Sequence, residues 1–244
     1  EIEAPIFKEA VHKVLSAAQI SEIRPEISGI LFDFQISQLK LVATDAFRLA
    51  QKTINNNQLK TNFKNGFKVI VPIKTISEAV KIFPDNQPIR IYLDASQILF
   101  KNEEIELISR LIDGEYPDYE QIIPKGTDTE AIINKEQLVN AVKLASTFSG
   151  RTNDIKVKMN DAKKVLEVYS SNQYLGENNY LIPVKVKGDP FNELAFNWRY
   201  LLDGLKVVEG ENLVFGANGT GKPSVIKPTE DGSYFYILMP IKNS

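Results

Sequence analysis

The sequence contains no cysteine, one histidine and one tryptophan. Without thiols the chain cannot form a disulfide scaffold, a thiolate metal site or a cysteine nucleophile, and this composition favours a reducing cytoplasm. The single histidine, His12, excludes metal sites that need several histidines. We therefore predict that the chain holds no metal and needs no cofactor.

Long apolar runs and an excess of one charge are also missing. No stretch approaches the roughly 20 apolar residues that cross a bilayer, so we predict no membrane contact. Glu1-Ile2-Glu3 is neither a basic leader nor an initiator methionine, and we expect the chain to begin inside a longer protein. The 29 Lys and Arg residues nearly balance the 31 Asp and Glu residues. Any contact with nucleic acid must therefore come from locally placed cations.

The composition that is present, 43% hydrophobic and 25% charged residues, is that of a globular protein. The length allows one large domain or two of about 120 residues. A weak internal repeat favours two, because the order of elements in residues 1–124 recurs in residues 125–244. We predict one domain over each of these ranges.

Each half opens with an amphipathic helix, in which Phe7 and Val11, or Leu138 and Val142, recur at helical spacing. Alternating strands follow, a strand then runs into a second helix, and further strands close the half. The fold class is therefore predicted as α+β, with each domain a duplicated helix-plus-antiparallel-sheet unit that has two helices. Residues 53–67, rich in asparagine, predict an exposed loop or a long hairpin tip without chemistry.

The run from Gly216 to Lys222 has the spacing of a phosphate-binding loop. We reject an ATPase, because Pro223 stands where a magnesium-binding Ser or Thr is needed and residues 224–228 have a strand pattern where a helix should begin. The repeat predicts a β-hairpin here instead.

Three further groups could suggest chemistry, and each has a structural explanation. His12 falls in the middle of a helix, Asp113 precedes a turn glycine, and Asp118 follows a proline. Trp198 and its aromatic neighbours fall at helical spacing, which is more typical of a partly buried core than of a stacking platform. We predict no catalytic residue.

Residues 42–50 read Val-Ala-Thr-Asp-Ala-Phe-Arg-Leu-Ala. This segment resembles a run of the bacterial DNA sliding clamp family, the β subunit of DNA polymerase III: Val-Ala-Thr-Asp, two variable residues, then Arg-Leu-Ala. Residues 28–32, 71–72, 113–119, 196–197, 200–202 and 236–241 match that family in the same order. The resemblance spans the whole chain and corresponds to the second and third of the family's three domains.

The resemblance implies two tandem DNA-clamp domains in a head-to-tail homodimeric ring, with two helices of each domain on the inner face and the sheets on the outer face. Duplex DNA passes through such a ring and is contacted through its phosphates, without sequence readout. The implied DNA-binding residues are cations on or beside the four predicted helices: Arg24, Lys74, Lys13, Lys81, Lys143, Arg151, Arg199 and Lys206. Lysines on a polar helix face are also often simply solvated.

The resemblance also implies a pocket between the two domains that receives short peptides of DNA polymerases, the clamp loader and repair proteins. Carried over position by position, the pocket residues are Ile27, Thr44, Ala46, Phe47, Arg48, Leu49, Pro117, Gln121, Ile122, Tyr200, Ser224, Ile237, Leu238, Met239, Pro240, Ile241 and Lys242. The family often has Gly then His at positions 46 and 47, and Arg at positions 121 and 242, so we expect an altered peptide preference. By itself, an apolar C-terminal strand is more typical of core.

The resemblance thus implies a non-catalytic processivity factor of the bacterial cytoplasm. This chain alone is expected to be mostly monomeric, because ring closure in the family uses the absent first domain. Two alternatives remain open: a stand-alone peptide-binding module without a DNA role, and an enzyme that uses Asp45 and Arg48.

Overall fold

The computed structural model describes residues 1–160 and 164–242 of the chain. The chain divides into two compact units, unit 1 over Glu1–Tyr119 and unit 2 over Glu120–Ser244. The predicted boundary after residue 124 lies a few residues further along. Tyr119 belongs to unit 1 because its side chain is buried and its ring lies 6.4 Å from that of Tyr116.

Unit 1 has two helices and eight strands in the part of the chain that is described. The helices are α1, Ala4–Leu15, and α2, Ile73–Ile82. The strands are β1, Ile2–Glu3; β2, Gly29–Gln35; β3, Gln38–Thr44; β4, Arg48–Asn55; β5, Phe67–Pro72; β6, Pro88–Leu93; β7, Gln97–Lys101; and β8, Glu106–Arg110. One antiparallel sheet has the order β4-β3-β2-β5, and the other has the order β1-β6-β7-β8.

Unit 2 has two helices and nine strands, counted over its described residues. The helices are α3, Lys135–Ser146, and α4, Trp198–Val207. The strands are β9, Thr129–Asn134; β10, Asp154–Asn160; β11, Val165–Asn172; β12, Gly176–Pro183; β13, Lys185–Gly188; β14, Leu194–Asn197; β15, Asn212–Ala217; β16, Ser224–Pro228; and β17, Tyr234–Leu238. Its antiparallel sheets have the orders β13-β9-β15-β16-β17 and β12-β11-β10-β14.

The two units repeat the same plan of two helices and two antiparallel sheets, which confirms the predicted α+β class and its duplication. The helices begin where local chemistry favours a start. Pro5 stands in the first turn of α1, where a missing amide hydrogen has little cost. Asn134 and Asn197 cap α3 and α4, because their side chains accept hydrogen bonds of 3.0 Å from the amides of Gln137 and Arg199.

Each unit encloses its own aromatic core beneath the helices. In unit 1, the buried rings of Phe7, Phe32 and Phe100 lie between 5.6 and 6.4 Å apart, centroid to centroid. In unit 2, the buried rings of Phe196 and Phe215 lie 5.9 Å apart, edge to face. Such tilted and edge-to-face contacts are favourable for aromatic rings beyond the area that they bury. Each unit therefore has an aromatic core of its own.

Residues 56–66 connect β4 to β5 and are mostly exposed, in agreement with the predicted exposed loop, but the loop also makes contacts with unit 1. Leu59 forms an isolated bridge to Ile2, and the ring of Phe63 lies 5.4 Å from Phe34 and 4.6 Å from Phe67. The segment is docked on unit 1, because two apolar side chains in an otherwise polar run find partners elsewhere in the unit. The asparagine-rich composition concealed both contacts.

The glycine-rich run before Ser224 forms the predicted hairpin. Strands β15 and β16 pair antiparallel on either side of it. Gly219 and Gly221 have φ angles of +80° and +76°, which glycine adopts without steric cost. A strand, and no helix, follows this turn, so the run lacks the helix N-terminus of a phosphate-binding loop.

Candidate functional site

The turn between β3 and β4 carries the segment on which the family resemblance rests. The hydroxyl of Thr44 donates to the carbonyl of Arg48 at 2.7 Å and accepts from the amide of Ala46 at 3.2 Å. The Asp45 Oδ1 atom accepts from the amides of Phe47 and Arg48, each at 3.0 Å. These bonds explain why Thr and Asp stand here, since both side chains satisfy the turn's own backbone.

Asp45 and Arg48 form a buried ion pair within this turn. The Arg48 Nε atom lies 2.9 Å from Asp45 Oδ2, and the two side chains are only 9% and 2% exposed. The Asp45 carboxylate is thus engaged by three donors at once. A carboxylate bound by three donors stabilises the turn. This structural role explains the presence of Asp45 and Arg48, so a catalytic role is not needed to explain them.

Ala46 has a φ of 75°, in the left-handed region that favours glycine. Ala46→Gly is therefore expected to raise the free energy of unfolding of unit 1 by about 0.5–1 kcal/mol, since relief of the steric cost exceeds the added entropy of the unfolded chain. Urea unfolding followed by circular dichroism measures the change. Ala95→Gly, in a turn residue whose φ is not positive, is the control and should be destabilising. If the two substitutions changed the free energy of unfolding equally, the left-handed conformation of Ala46 would not be the cause.

The remaining predicted pocket residues of unit 1 differ in accessibility. Phe47 projects from the turn and is 60% exposed, whereas Ile27 and Leu49 are buried and belong to the core. Pro117 is half-buried, just before Tyr119. Phe47 is thus the apolar side chain of this group that a ligand could reach most readily.

In unit 2, the predicted residues gather around the C-terminal strand. The hydroxyl of Tyr236 donates to the carbonyl of Tyr200 at 2.8 Å, which fixes α4 against β17. Ser224 pairs with Leu238 across β16 and β17. The Ser224 side chain is fully buried, and its hydroxyl has no hydrogen-bond partner among the described residues. A buried hydroxyl without a partner is costly, so this atom is suited to bind a water molecule.

Ile241 forms an isolated bridge to β14, in which its amide donates to the carbonyl of Ala195 at 2.8 Å. A cleft of about 390 Å³ opens beside this contact. The predicted residues Pro240, Ile241 and Lys242 line it together with Glu193, Leu194, Ala195, Thr220 and Gly221. Sequence reasoning missed the latter group, because only the pairing of the chain end with β14 brings them to the cleft.

Glu193 is the acidic group of this cleft. Hydrogen bonds from Lys156 and Tyr169 hold the pKa of its carboxyl below the usual range. Its Oε1 atom lies 2.7 Å from the Lys156 ammonium, and Tyr169 donates its hydroxyl to the same carboxylate. Glu193 is therefore negatively charged at neutral pH, and the cleft lining also contains Lys242.

Gln121 and Ile122 are the last two residues of a 3-10 helix over Tyr119–Ile122. Both are exposed. Ile237 and Leu238 are buried in β17, and Met239 is half-buried just beyond it. The predicted pocket list therefore combines accessible side chains with buried ones that support them.

Seven of the eight predicted DNA-binding cations are exposed, on or next to helices. They are Arg24, Lys74, Lys81, Lys143, Arg151, Arg199 and Lys206. Some have protein partners: Arg24 binds Glu26 at 2.9 Å, and Arg199 lies 5.0 Å over the ring of Trp198.

Lys13 is the exception, and its assignment as a DNA contact is corrected. Its side chain is 3% exposed and lies 2.7 Å from Glu9, which also binds Lys52 at 3.3 Å. Burial raises the pKa of the Glu9 carboxyl, but the hydrogen bond from Lys13 and the charge of Lys52 outweigh it and hold the pKa below its usual value. Lys13 falls between Val11 and Val14 on the buried face of α1, out of reach of a phosphate.

The other candidates give no sign of a reactive centre. The residues that the structure describes contain no cluster of three or more His, Cys, Asp or Glu side chains that could hold a metal ion. Asp113 and Asp118 are exposed, and His12 is exposed on α1.

No helix within residues 1–160 and 164–242 is long and apolar enough to span a membrane.

Comparisons with known proteins agree with the resemblance. The model of the DNA polymerase III beta subunit, central domain, matches residues 1–118, and that of the C-terminal domain matches residues 120–242. The beta sliding clamp of Bacillus subtilis (strain 168) is 29% identical over 246 residues, which cover 99% of this chain and 64% of the relative. The clamp of Staphylococcus aureus (strain Mu50) is 28% identical, over 99% of this chain and 63% of that relative.

Solved structures show the same likeness. The DNA polymerase sliding clamp of Bacillus subtilis has a TM-score of 0.92 at 29% identity, over 100% of this chain and 64% of that chain. The DNA polymerase III beta chain of Streptococcus pneumoniae TIGR4 has a TM-score of 0.91 at 27% identity, over 99% of this chain and 64% of that chain. The chain therefore spans about 64% of the length of such relatives.

Proposed function

Since the chain belongs to the DNA polymerase III beta subunit family, we propose that the protein is part of a sliding clamp that tethers a polymerase to duplex DNA. The observation that carries this proposal is the order of the family matches, in which a central and a C-terminal domain follow each other and fill almost the whole chain. The protein would act as a non-catalytic accessory subunit in the bacterial cytoplasm. A chain without cysteine needs no disulfide bonds and so is compatible with that reducing compartment.

Seven exposed cations on or beside the helices support contact with DNA. Lys74 and Lys81 lie on α2, Lys143 on α3, and Arg199 and Lys206 on α4. Arg24 and Arg151 stand in the turns that follow α1 and α3. Cations on long, solvated side chains can follow phosphates without reading bases, which is what sliding requires. The overall charge of −2 keeps such contacts local and weak.

Unit 2 offers a surface suited to ring closure. Strand β12 is the outer strand of its sheet in the part of the chain described, so its outer backbone edge is open to a further strand. Leu181 on β12 is 51% exposed, and Tyr174 and Leu175 in the preceding turn are 85% and 55% exposed. An open edge with apolar side chains fits a subunit interface. We assign this edge to the contact that closes a head-to-tail homodimer.

Topological linkage is the property that tests this function. The full-length protein, placed on nicked circular DNA by its clamp loader, should stay bound in high salt and be lost when the DNA is linearised, because salt screens phosphate contacts but does not open a ring. Gel filtration of the complexes measures retention. Leu181→Glu should lower retention, whereas Ile132→Glu, 42% exposed in the other sheet of unit 2, should not. Release that is independent of linearisation would refute the ring. Residues 1–244 alone should be mostly monomeric, and a tight closed dimer of this chain in sedimentation would refute that separate expectation.

The predicted pocket residues support a second role, the docking of peptides from polymerases, the clamp loader and repair proteins. Phe47 and Ile241 are exposed apolar side chains, one in each unit, and Ser224 has a buried hydroxyl without a partner. Apolar anchors with a few polar groups are the usual composition of a peptide site. We propose that Phe47 in unit 1 and Ile241 in unit 2 each contact such peptides.

A short clamp-binding peptide is expected to bind with micromolar affinity, and Met239→Glu or Phe47→Glu to weaken it more than about tenfold, since truncated anchor contacts typically cost over 1.4 kcal/mol. Isothermal titration calorimetry measures the affinity. A charge at Leu49 is a poor test, because this side chain is 1% exposed and the substitution would damage the core. Tyr92→Glu, at a site 50% exposed on β6, serves as the control. Unchanged affinity in both pocket variants would rule out this site.

A further inference from the structure

The sequence contains two Asn-Gly pairs, Asn65-Gly66 and Asn218-Gly219. An asparagine side chain is open to attack by the backbone nitrogen of the next residue, and glycine permits this most readily because it has no Cβ to obstruct the approach. The same dipeptide therefore stands at two places in one fold, and the structure holds the two asparagines very differently.

Asn65 lies in the docked segment ahead of β5 and is exposed. Within residues 1–160 and 164–242, neither its side-chain amide nor the backbone amide of Gly66 takes part in a hydrogen bond. Gly66 precedes the first residue of β5, Phe67, so its nitrogen is outside the ladder. Nothing in the fold has to break before the Gly66 nitrogen reaches the Asn65 side chain.

Both polar atoms of the Asn218 side-chain amide form hydrogen bonds. Its Oδ1 atom accepts from the amide of Asp128 at 2.9 Å, and its Nδ2 atom donates to the carbonyl of Pro223 at 3.4 Å. The residue is half-buried in the turn between β15 and β16. To be attacked, this side chain must rotate and lose both hydrogen bonds.

We infer that Asn65 is a site of spontaneous deamidation in the folded protein, while Asn218 is protected. The Gly66 nitrogen, deprotonated by hydroxide, forms a bond to the Asn65 Cγ atom, and the C–N bond of the side-chain amide breaks with release of ammonia. The resulting succinimide ring is opened by one water molecule to aspartate or isoaspartate. No oxidant, metal or enzyme is required.

Isoaspartate at position 65 would loosen the docked segment. The rings of Phe63 and Phe67 flank the site and lie 4.6 Å apart, so a backbone rerouted through the side chain must displace one of them. Leu59 and Lys60 of the same segment pair with the first strand, and the Lys60 amide donates to the Glu1 carbonyl at 2.9 Å. The modified protein is therefore expected to exchange the Lys60 amide hydrogen faster.

The test is to age the purified chain in mildly alkaline buffer and to follow both sites by mass spectrometry of peptides cut after glutamate. We expect Asn65 to react roughly thirtyfold faster than Asn218, the factor that two ordinary hydrogen bonds would give. The rate at Asn65 should rise in proportion to hydroxide, and an isoaspartyl methyltransferase should label the product. In denaturant the two sites should react at similar rates, because only the fold distinguishes them.

Asn65→Gln provides the matched control, since glutamine must close a larger ring and the labelling should disappear. Equal rates at the two sites in the native chain would overturn the inference, as would an unmodified Asn65 under conditions that modify it in denaturant. Hydrogen exchange of the aged sample tests the structural consequence separately. An unchanged Lys60 amide in fully modified protein would refute the loosening of the segment.

Discussion

Asp45→Ala is expected to lower the free energy of unfolding of unit 1 by about 3–5 kcal/mol, as removal of one partner from a buried ion pair typically does. The substitution leaves the Arg48 guanidinium, 9% exposed, without the carboxylate 2.9 Å away. It also removes the acceptor of the Phe47 and Arg48 amides, which hold the turn. Urea unfolding, with hydrogen exchange to separate the two units, measures the loss.

Asp85→Ala is the matched control for this prediction. It also removes a carboxylate from an ion pair, with Lys8 at 2.5 Å, but the Asp85 side chain is 71% exposed. Exposed pairs contribute less than about 1 kcal/mol, because water solvates both charges after separation. Asp45→Asn should fall between the two, since the amide oxygen can still accept from the backbone. Similar losses in Asp45→Ala and Asp85→Ala would show that burial of the pair is not what matters.

Phe7→Ala is expected to destabilise unit 1 by about 3–5 kcal/mol, the usual cost of emptying a buried aromatic site. Phe7 is fully buried on α1, and its ring lies 5.6 Å from Phe100 and 6.4 Å from Phe32. The two rings and the backbone around them can close the cavity only if α1 shifts toward the sheets, which the close packing of the core resists. Calorimetry should show a lower melting temperature for unit 1 only, because unit 2 has a separate core.

Phe47→Ala is the control for the core substitution, since the same ring is removed from a site that is 60% exposed. Its effect on stability should be within about 0.5 kcal/mol, as is usual for surface sites. The same variant should weaken peptide binding if the docking proposal is correct. A large loss of stability in Phe47→Ala, or an unchanged unit 1 in Phe7→Ala, would contradict this account of the core.

The four helices could be predicted because each has apolar periodicity, and α1, α3 and α4 also have a local start signal. Asn197 before α4 and Pro5 in α1 are visible in the sequence, and both have the roles that such residues favour. The family resemblance singled out residues 42–50, and the structure adds that Thr44 and Asp45 there satisfy the backbone of a turn. In these places local chemistry and the fold agree, so a single sequence is sufficient.

Strands β12 and β13 could not be predicted in this way. Strand β12 reads Gly-Glu-Asn-Asn-Tyr-Leu-Ile-Pro and has one buried residue, Ile182, so it lacks the alternation that marks a half-buried strand. It is a strand because it pairs along its length with β11. The docking of residues 53–67 was missed for a related reason, since Leu59 and Phe63 are isolated apolar residues in a polar run.

The sequence by itself determined the two-domain repeat, the helices, the turn of residues 44–49 and the family, because each depends on residues that are close together in the chain or on an ordered set of motifs. Tertiary structure alone decided which side chains are accessible. It buried Lys13 beside Glu9, brought the chain end to Ala195, left the Ser224 hydroxyl without a partner and gave two identical Asn-Gly pairs different surroundings. The physical reason is that burial and pairing depend on contacts between residues distant in sequence, and no local pattern records them.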